Sequence, residues 1–191
     1  ELFRTRPQVV EVGCWAHARR KFVEAEKTNA ALAHEAVARI KQLYAVEHEA
    51  KDFDAAARLT LRQQKSQPQL DALKAWLDRE QVQVVPKTPS ADAINYARNQ
   101  WAALNVYITN GDLAIDNNAA ERAIKPFAIG RKNWLFFGSD RGGQTLATIA
   151  SFTATCELLK LNPWAWLRDT LTQLPLTPAD QLPTLLPTVT N

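Results

Sequence analysis

The carboxylate of Glu121 and a group of cations lie close together in the sequence between residues 115 and 143. Glu121 stands where a helix is predicted to begin, and five basic residues follow it within the next 20 positions: Arg122, Lys125, Arg131, Lys132 and Arg141. From residue 117 to residue 145 the formal charge is +3, which equals the charge of the whole chain. Positive charge concentrated in this way suits a polyanion such as a nucleic-acid backbone. A solvated helix face with a basic loop is the alternative, and the charge pattern does not separate the two.

Glu121 has two interpretations of its own. Asn118 followed three residues later by Glu121 resembles a capping box, in which both side chains bind backbone N–H groups at a helix start. Alternatively Glu121 is a metal ligand, because Mg²⁺ prefers carboxylate oxygens and phosphoryl-transfer sites hold it through a few acids. One carboxylate cannot build such a site alone, so both interpretations stay open at this point.

Three blocks of sequence have a distinctive composition. The first block comprises residues 116–122 (DNNAAER), 130–136 (GRKNWLF) and 138–143 (GSDRGG). The second is GCWAHARRKF at residues 13–22, and the third is NPWAWLRD at residues 162–169. In residues and in order these blocks resemble the transposases of insertion sequence 66 (IS66), and together they span most of the chain.

This resemblance implies the C-terminal part of a ribonuclease-H-like (DDE transposase) fold. Such a site uses two Asp and one Glu to hold Mg²⁺, and its last acid corresponds to Glu121. In the family both Asp residues precede the block at residues 13–22, and this chain contains neither. We therefore expect the C-terminal part of a larger transposase, with Mg²⁺ bound in the intact parent and no cleavage by this chain alone. The absence of methionine agrees with a fragment.

The expected function is cutting and joining of DNA at insertion-sequence ends. The resemblance implies DNA ends and target as partners, a homo-oligomer in the active complex and possible companion proteins of the element. A non-catalytic DNA-binding or assembly module is the alternative. The cations expected to contact DNA are Arg19, Arg20, Arg122, Lys125, Arg131, Lys132 and Arg141. For Arg19 and Arg20, ordinary surface charge is an equally good interpretation.

The composition favours a soluble globular protein in a reducing cytoplasm. Of the 191 residues, 46% are hydrophobic and 23% are charged, which suffices for one domain with a core. Cys14 and Cys156 are too few for a disulfide framework, and no secretory signal or membrane-length apolar span is visible. Cys14 and His17 have a zinc-like spacing, but a structural zinc needs four ligands, so a buried Cys and a helix-start His are favoured.

The predicted fold is mainly α with a small β component and a helical insertion. Residues 1–28 should form the last strand, at Val9–Val12, and the first helix of the nuclease-like core. Residues 29–110 contain no glycine and form the insertion. Its apolar residues recur at helical spacing: Leu32, Ala36, Ile40 and Leu43, then Leu70, Leu73 and Leu77, and finally Ala93, Ala97, Trp101, Leu104 and Ile108.

Residues 111–143 form the predicted catalytic-Glu region. Leu113–Ile115 is a candidate short strand, and the helix from Asn118 should be interrupted near Pro126 and end by Gly130. The aromatic residues 133–137 predict a strand. Residues 139–143 predict a turn, whose amides could cradle a phosphate, although plain turn duty is favoured.

Residues 144–174 form the predicted C-terminal helical segment, and residues 175–191 a Pro-rich tail. A helical pattern runs from Thr145 to Lys160, and Asn162 with Pro163 should open the next helix as N-cap and first-turn proline. The tail contains four of the ten prolines, so we expect it to be extended and poorly ordered.

Overall fold

The computed structural model describes residues 9–134 and 138–188, without the side chains of residues 127 and 131–134. The described residues form α-helices and short 3₁₀ and π-helical segments, with no β-strand among them. The mainly α prediction is confirmed. The chain divides into two compact units, Glu1–Ala119 and Ala120–Asn191.

Over its described residues, the first unit contains six complete α-helices joined by short segments. The helices are α1 (Trp15–Glu24), α2 (Ala30–Glu49), α3 (Ala55–Leu61), α4 (Gln67–Gln81), α5 (Pro89–Asn99) and α6 (Trp101–Asn105). Ala25–Lys27 and Val106–Thr109 are 3₁₀ turns, and Arg62–Ser66 is a π-helical segment between α3 and α4. Polar side chains begin three of these helices, because Asn29, Asp54 and Thr88 each accept an N–H of the first turn.

A large hydrophobic core holds most of the first unit together, beside a small second cluster of Val46, Ala50 and Leu61. The apolar faces predicted for α2, α4 and α5 are buried in the large core, as are Trp15, Ala18 and Phe22 of α1. The indole N–H of Trp15 donates to the Leu104 carbonyl over 2.9 Å, and its ring meets the edge of Trp101 with centroids 6.0 Å apart. Residues from α1 and from the predicted helical insertion therefore share a single core.

The strand predicted at Val9–Val12 is not formed. These residues have no regular secondary structure, and Val10 is 66% exposed. The chain that follows makes its backbone bonds to other segments: Gly13 N–H donates to the Ala103 carbonyl over 2.8 Å, and Trp15 N–H to the Ile115 carbonyl over 3.1 Å. A β-branched run becomes a strand only beside a partner strand, and the described residues provide none. Leu113–Ile115 is likewise irregular.

Gly13 permits a close approach in this region. A Cβ atom at this position would lie 2.7 Å from the backbone nitrogen of Leu104. Only glycine avoids that contact without a shift of the backbone. The glycine that ended the predicted strand therefore lets the chain pass against α6.

The second unit contains most of α7 (Asn118–Trp134), which begins at the end of the first unit, followed by α8 (Asp140–Leu158) and α9 (Pro163–Gln173). Two 3₁₀ segments follow, Leu174–Leu176 and Ala179–Leu185. Asn162 caps α9 by accepting the N–H groups of Trp164 and Ala165, with Pro163 as first helical residue. The predicted cap and first-turn proline are confirmed.

Several boundaries predicted for the second unit are wrong. Helix α7 contains Pro126 and continues past Gly130 to Trp134, so residues 133 and 134 are helical, while residues 135–137 lie outside the described residues. The backbone stays helical through Pro126 even though a proline removes an N–H donor and crowds the preceding turn.

The turn predicted at residues 139–143 is the start of α8. Ser139 is the N-cap, and its hydroxyl accepts the Gly142 N–H over 3.1 Å. The helix therefore begins at the Ser139 cap even though Gly142 and Gly143 lie in its first turn.

The tail prediction is also wrong over the described residues. The chain beyond Pro175 forms 3₁₀ turns, and the indole N–H of Trp166 donates to the Leu185 carbonyl over 3.2 Å. That bond ties the C-terminal segment to α9. Residues 189–191 lie outside the described residues.

Among the described residues, no helix combines the length and apolar character needed to cross a bilayer.

Candidate functional site

Asp116 organises the start of α7, the helix that carries Glu121. Its Oδ1 atom accepts the Asn118 backbone N–H over 3.0 Å. Its Oδ2 atom accepts the Asn118 side-chain amide over 2.7 Å and the Tyr44 hydroxyl over 2.9 Å. A carboxylate at a helix N-terminus also interacts favourably with the helix dipole. The first residue of α7 is therefore fixed to α2 through one carboxylate.

Tyr44 is held in its neutral form at this position. Burial raises its pKa most, and the hydrogen bond to Asp116 raises the pKa further, far above the ordinary value of 10.0. A phenol that keeps its proton can only donate to a carboxylate that accepts. Tyr44 therefore keeps its proton at neutral pH and donates a hydrogen bond to Asp116.

Cys14 contributes a second contact at the same place. The Asn117 backbone N–H, directly before α7, points to the Cys14 Sγ atom at 3.3 Å. Cys14 is half-buried and stands immediately before α1, so the starts of α1 and α7 are neighbours. This contact gives Cys14 a structural role.

A buried arginine fixes the segment that leads to Asp116. Arg62, 1% exposed, donates to both carboxylate oxygens of Glu47 over 2.9 and 2.6 Å. It also donates to the carbonyls of Tyr107, Asn110 and Leu113 over 2.7 to 2.8 Å. The planar guanidinium suits such a fork of acceptors. Arg62 therefore holds residues 107–113 against α2.

Glu121 lies in the first turn of α7, and it is exposed. The predicted capping box would place Asn118 before the helix. Instead α7 begins at Asn118, and the amide of that side chain donates to Asp116. Asp116 is thus the carboxylate that binds the backbone N–H of residue 118 at the helix start.

The predicted cations are distributed over both units. In the first unit Arg19 and Arg20 are exposed on α1; in the second, Arg122 and Lys125 are exposed on α7, and Arg141 is exposed in the first turn of α8. Lys125 is four residues from Glu121 and therefore lies on the same side of α7. The side chains of Arg131 and Lys132 lie outside the described residues.

The described residues do not by themselves fit a magnesium ion. They contain no group of three or more His, Cys, Asp or Glu side chains that could hold a metal. Mg²⁺ usually requires one or two carboxylates together with water and phosphate oxygens in octahedral geometry. Glu121 offers one carboxylate, which by itself is not a magnesium site.

Sequence reasoning found Glu121 but missed Tyr44, Asp116 and Arg62 as the residues that support its helix. Asp116 is part of the DNNAAER motif, which was a usable signal. Tyr44 and Arg62 carry no local sequence signal. The hydrogen-bond acceptor of Tyr44 lies 72 positions away along the chain, and the carbonyls that Arg62 binds lie 45 to 51 positions away.

Comparison with known proteins gives consistent matches along the chain. Residues 1–145 match the family described as Transposase IS66 family, and residues 151–188 match the IS66 C-terminal element. The uncharacterized protein y4qI of Sinorhizobium fredii is 39% identical over 177 residues, covering 92% of this chain and 33% of the relative. The uncharacterized protein y4hP of the same organism is 35% identical over 187 residues, covering 91% of this chain and 34% of the relative.

The chain thus spans about a third of the length of these curated relatives. No solved structure matches it significantly. The matched residues include the DNNAAER motif at the start of α7 and the NPWAWLRD motif at the start of α9. The chain therefore belongs to the IS66 transposase family.

Proposed function

We propose that this chain is part of a DDE-type DNA transposase and supplies the last of its three catalytic acids, Glu121. The observation that carries the proposal is the placement of this carboxylate. Glu121 is exposed in the first turn of a helix whose beginning is fixed by Asp116, Tyr44 and Cys14. A catalytic carboxylate needs such a rigid support and access to the reacting strand.

The other two acids and the β-sheet of a ribonuclease-H-like fold belong, on this proposal, to residues outside those described. Glu121 would then be one of several oxygen ligands of Mg²⁺ in the longer protein. This chain alone is expected to bind the ion weakly and to cut no DNA.

The exposed cations would bind the DNA backbone. Arg122 and Lys125 share α7 with Glu121, and Arg141 is in the first turn of α8. Arg19 and Arg20 would add contacts from α1, and Arg131 and Lys132 from the end of α7. Contacts of this kind position a strand without reading its sequence, and they weaken as salt rises.

A non-catalytic DNA-binding or assembly module is the second candidate. The described residues contain no group of three or more His, Cys, Asp or Glu side chains that could hold a metal, and the second unit exposes large apolar side chains. Among them Trp164 is 75% exposed and Leu176 is 83% exposed. Apolar side chains left on a surface are typical of contacts with another subunit or a companion protein.

Two changes distinguish these candidates when they are made in the longer protein. One is Glu121→Gln, and the other is charge reversal at Arg131 and Lys132. Loss of DNA cleavage and joining with Glu121→Gln, while DNA binding is retained, supports the catalytic role. Unchanged cleavage in Glu121→Gln, with salt-sensitive DNA binding lost only after charge reversal, supports the binding module. If neither change has an effect, both candidates are wrong.

A further inference from the structure

A cavity of about 310 Å³ opens in the first unit between α1, α2 and the first residue of α7. Its walls are Ala16, Arg19, Val37, Lys41, Tyr44 and Asn118. We propose that this cavity, named here the Arg19–Lys41 pocket, binds one phosphodiester of a DNA strand together with its sugar. The proposal rests on the proposed function for the presence of DNA and adds a defined binding site to it.

The two cations of the pocket have no acidic partner among the described residues. Neither Arg19 nor Lys41 takes part in any ion pair of the described side chains. Seven of the other twelve described lysines and arginines of the first unit are paired with an acid: Lys21, Arg39, Lys51, Arg62, Lys65, Lys74 and Arg98. Arg19 and Lys41 are thus two positive charges without an ion-pair partner in the lining of one cavity, and such a lining favours an anionic ligand.

The acid behind the pocket is already satisfied. Asp116 accepts three hydrogen bonds, two from Asn118 and one from Tyr44, so its carboxylate is directed to those donors. Arg19 and Tyr44 line the same pocket, and the Tyr44 hydroxyl already donates to Asp116. Because Arg19 has no ion-pair partner among the described residues, it retains its capacity for an anion.

The size and the other walls of the pocket favour a nucleotide unit over a bare anion. Its volume is near the lower limit of pockets that hold small organic molecules, and it exceeds what one phosphate group requires. Ala16 and Val37 supply apolar surface, and the Tyr44 ring adds an aromatic wall. A phosphate at the cations with a deoxyribose against the apolar wall uses both parts of the pocket.

The location of the pocket explains what such binding would achieve. Asn118 lines the pocket and is the first residue of α7, one helical turn before Glu121. A strand held by Arg19 and Lys41 would therefore pass the beginning of the helix that carries the candidate catalytic acid. Lys41 belongs to none of the sequence motifs, so the pocket adds it as a candidate DNA contact.

The test measures binding of a single diester to the 191-residue chain without metal. The probes are the dinucleotide thymidylyl-thymidine, its uncharged methylphosphonate analogue and inorganic phosphate. Binding is followed by NMR through the backbone amides of Ala16 and Val37. The variants are Arg19→Gln and Lys41→Gln, and the matched control is Arg79→Gln, which removes the same charge from an exposed position on α4 outside the pocket.

We expect the dinucleotide to shift both amides and the methylphosphonate analogue to leave them unchanged. Each pocket variant should weaken binding at least about tenfold, since a hydrogen bond to a charged group is lost, and Arg79→Gln should bind like the native chain. Absence of shifts, equal binding of the analogue, or retained binding in both pocket variants would overturn the proposal. Inorganic phosphate binding as tightly as the dinucleotide would also overturn it, since the site would then be a general anion site.

This result is independent of catalysis. If Glu121→Gln leaves cleavage by the longer protein intact while the dinucleotide still binds the pocket, the catalytic role of Glu121 fails and the pocket stands. If Glu121→Gln abolishes cleavage and the dinucleotide does not bind, the proposed function stands and the pocket fails.

Discussion

The two units of this chain bury very different amounts of apolar side chain. Among the described residues, 24 hydrophobic side chains are buried in the first unit, from Trp15 to Ile115, whereas the second unit buries one hydrophobic side chain, Cys156, together with Pro187. The second unit instead exposes ten large hydrophobic residues, including Leu158 and Leu176 at 83% each. Because burial of apolar surface is the main source of folding free energy, stability should be concentrated in the first unit.

The residues that should stabilise the fold and the acid proposed for catalysis therefore lie in different units. Glu121 belongs to the unit with little core, while the residues that fix the start of its helix belong to the unit with the core. The well-packed unit thus supplies rigidity, and the other supplies the exposed acid and most of the predicted cations. Substitutions in the two units should accordingly differ in what they damage.

The largest expected loss of stability follows removal of Arg62. Arg62→Ala leaves the Glu47 carboxylate and three carbonyls without this donor in a buried environment, so it should lower the free energy of unfolding by about 3–5 kcal/mol. The control is Lys65→Ala, whose ion pair with Glu49 has both side chains 47% exposed. That variant should lose less than about 1 kcal/mol. Urea denaturation followed by circular dichroism measures both, and similar losses would contradict the buried role of Arg62.

Equivalent leucines in the two units should behave differently. Leu77 is fully buried in the first unit, so Leu77→Ala should cost about 3 kcal/mol through lost burial and the cavity that remains. Leu158→Ala in the second unit removes an 83% exposed side chain and should stay within about 0.5 kcal/mol. The same urea experiment provides the comparison. A larger loss of unfolding free energy with Leu158→Ala than with Leu77→Ala would contradict the location of the hydrophobic core in the first unit.

Loss of the Tyr44 hydroxyl should have a smaller effect. Tyr44→Phe removes one donor to Asp116 and should cost about 1–2 kcal/mol, because the acceptor is charged. Tyr96→Phe is the control at neutral pH, since its hydroxyl has no hydrogen bond among the described residues. Equal losses in both variants would show that the Tyr44–Asp116 bond contributes no stability.

The same tyrosine predicts a dependence on alkaline pH. Burial raises the pKa of Tyr44 above its ordinary value, so the folded chain keeps a proton that the unfolded chain releases above about pH 10. Its contribution is fully present below about pH 10 and is lost as pH rises further. The free energy of unfolding should therefore fall above pH 10, and the slope should be shallower in Tyr44→Phe by up to about 1.4 kcal/mol per pH unit. An unchanged slope would contradict the raised pKa.

The sequence predicted α2, α4 and α5 of the first unit, because their apolar residues follow the helical period. It did not predict α3 or the break between α5 and α6. Local signals also predicted the start of α9, since Asn162 and Pro163 act within one turn. The prediction of a strand at Val9–Val12 was wrong, because a strand forms only beside a partner strand and no local pattern shows whether one is present. The helix start at Ser139 was not predicted, because the pair Gly142-Gly143 that follows it is typical of a turn.

The candidate site was predictable only in part. Glu121 and the cations after it stand in one contiguous motif, so the sequence alone singled them out. The support of α7 is assembled from Cys14, Tyr44 and Asp116, which packing brings together over 72 to 103 positions of sequence. Lys41, the proposed phosphate contact, also lacks a local signal, because it shares a pocket with Arg19 only in the folded chain.

The most direct test of the central claim is DNA cleavage with Mg²⁺ by the longer protein carrying Glu121→Gln. The matched control is Glu157→Gln, which makes the same change at an exposed position of α8. The account predicts that Glu121→Gln abolishes cleavage while the free energy of unfolding changes by less than about 0.5 kcal/mol, and that Glu157→Gln cleaves like the native protein. Cleavage that persists in Glu121→Gln at the native rate would contradict the account.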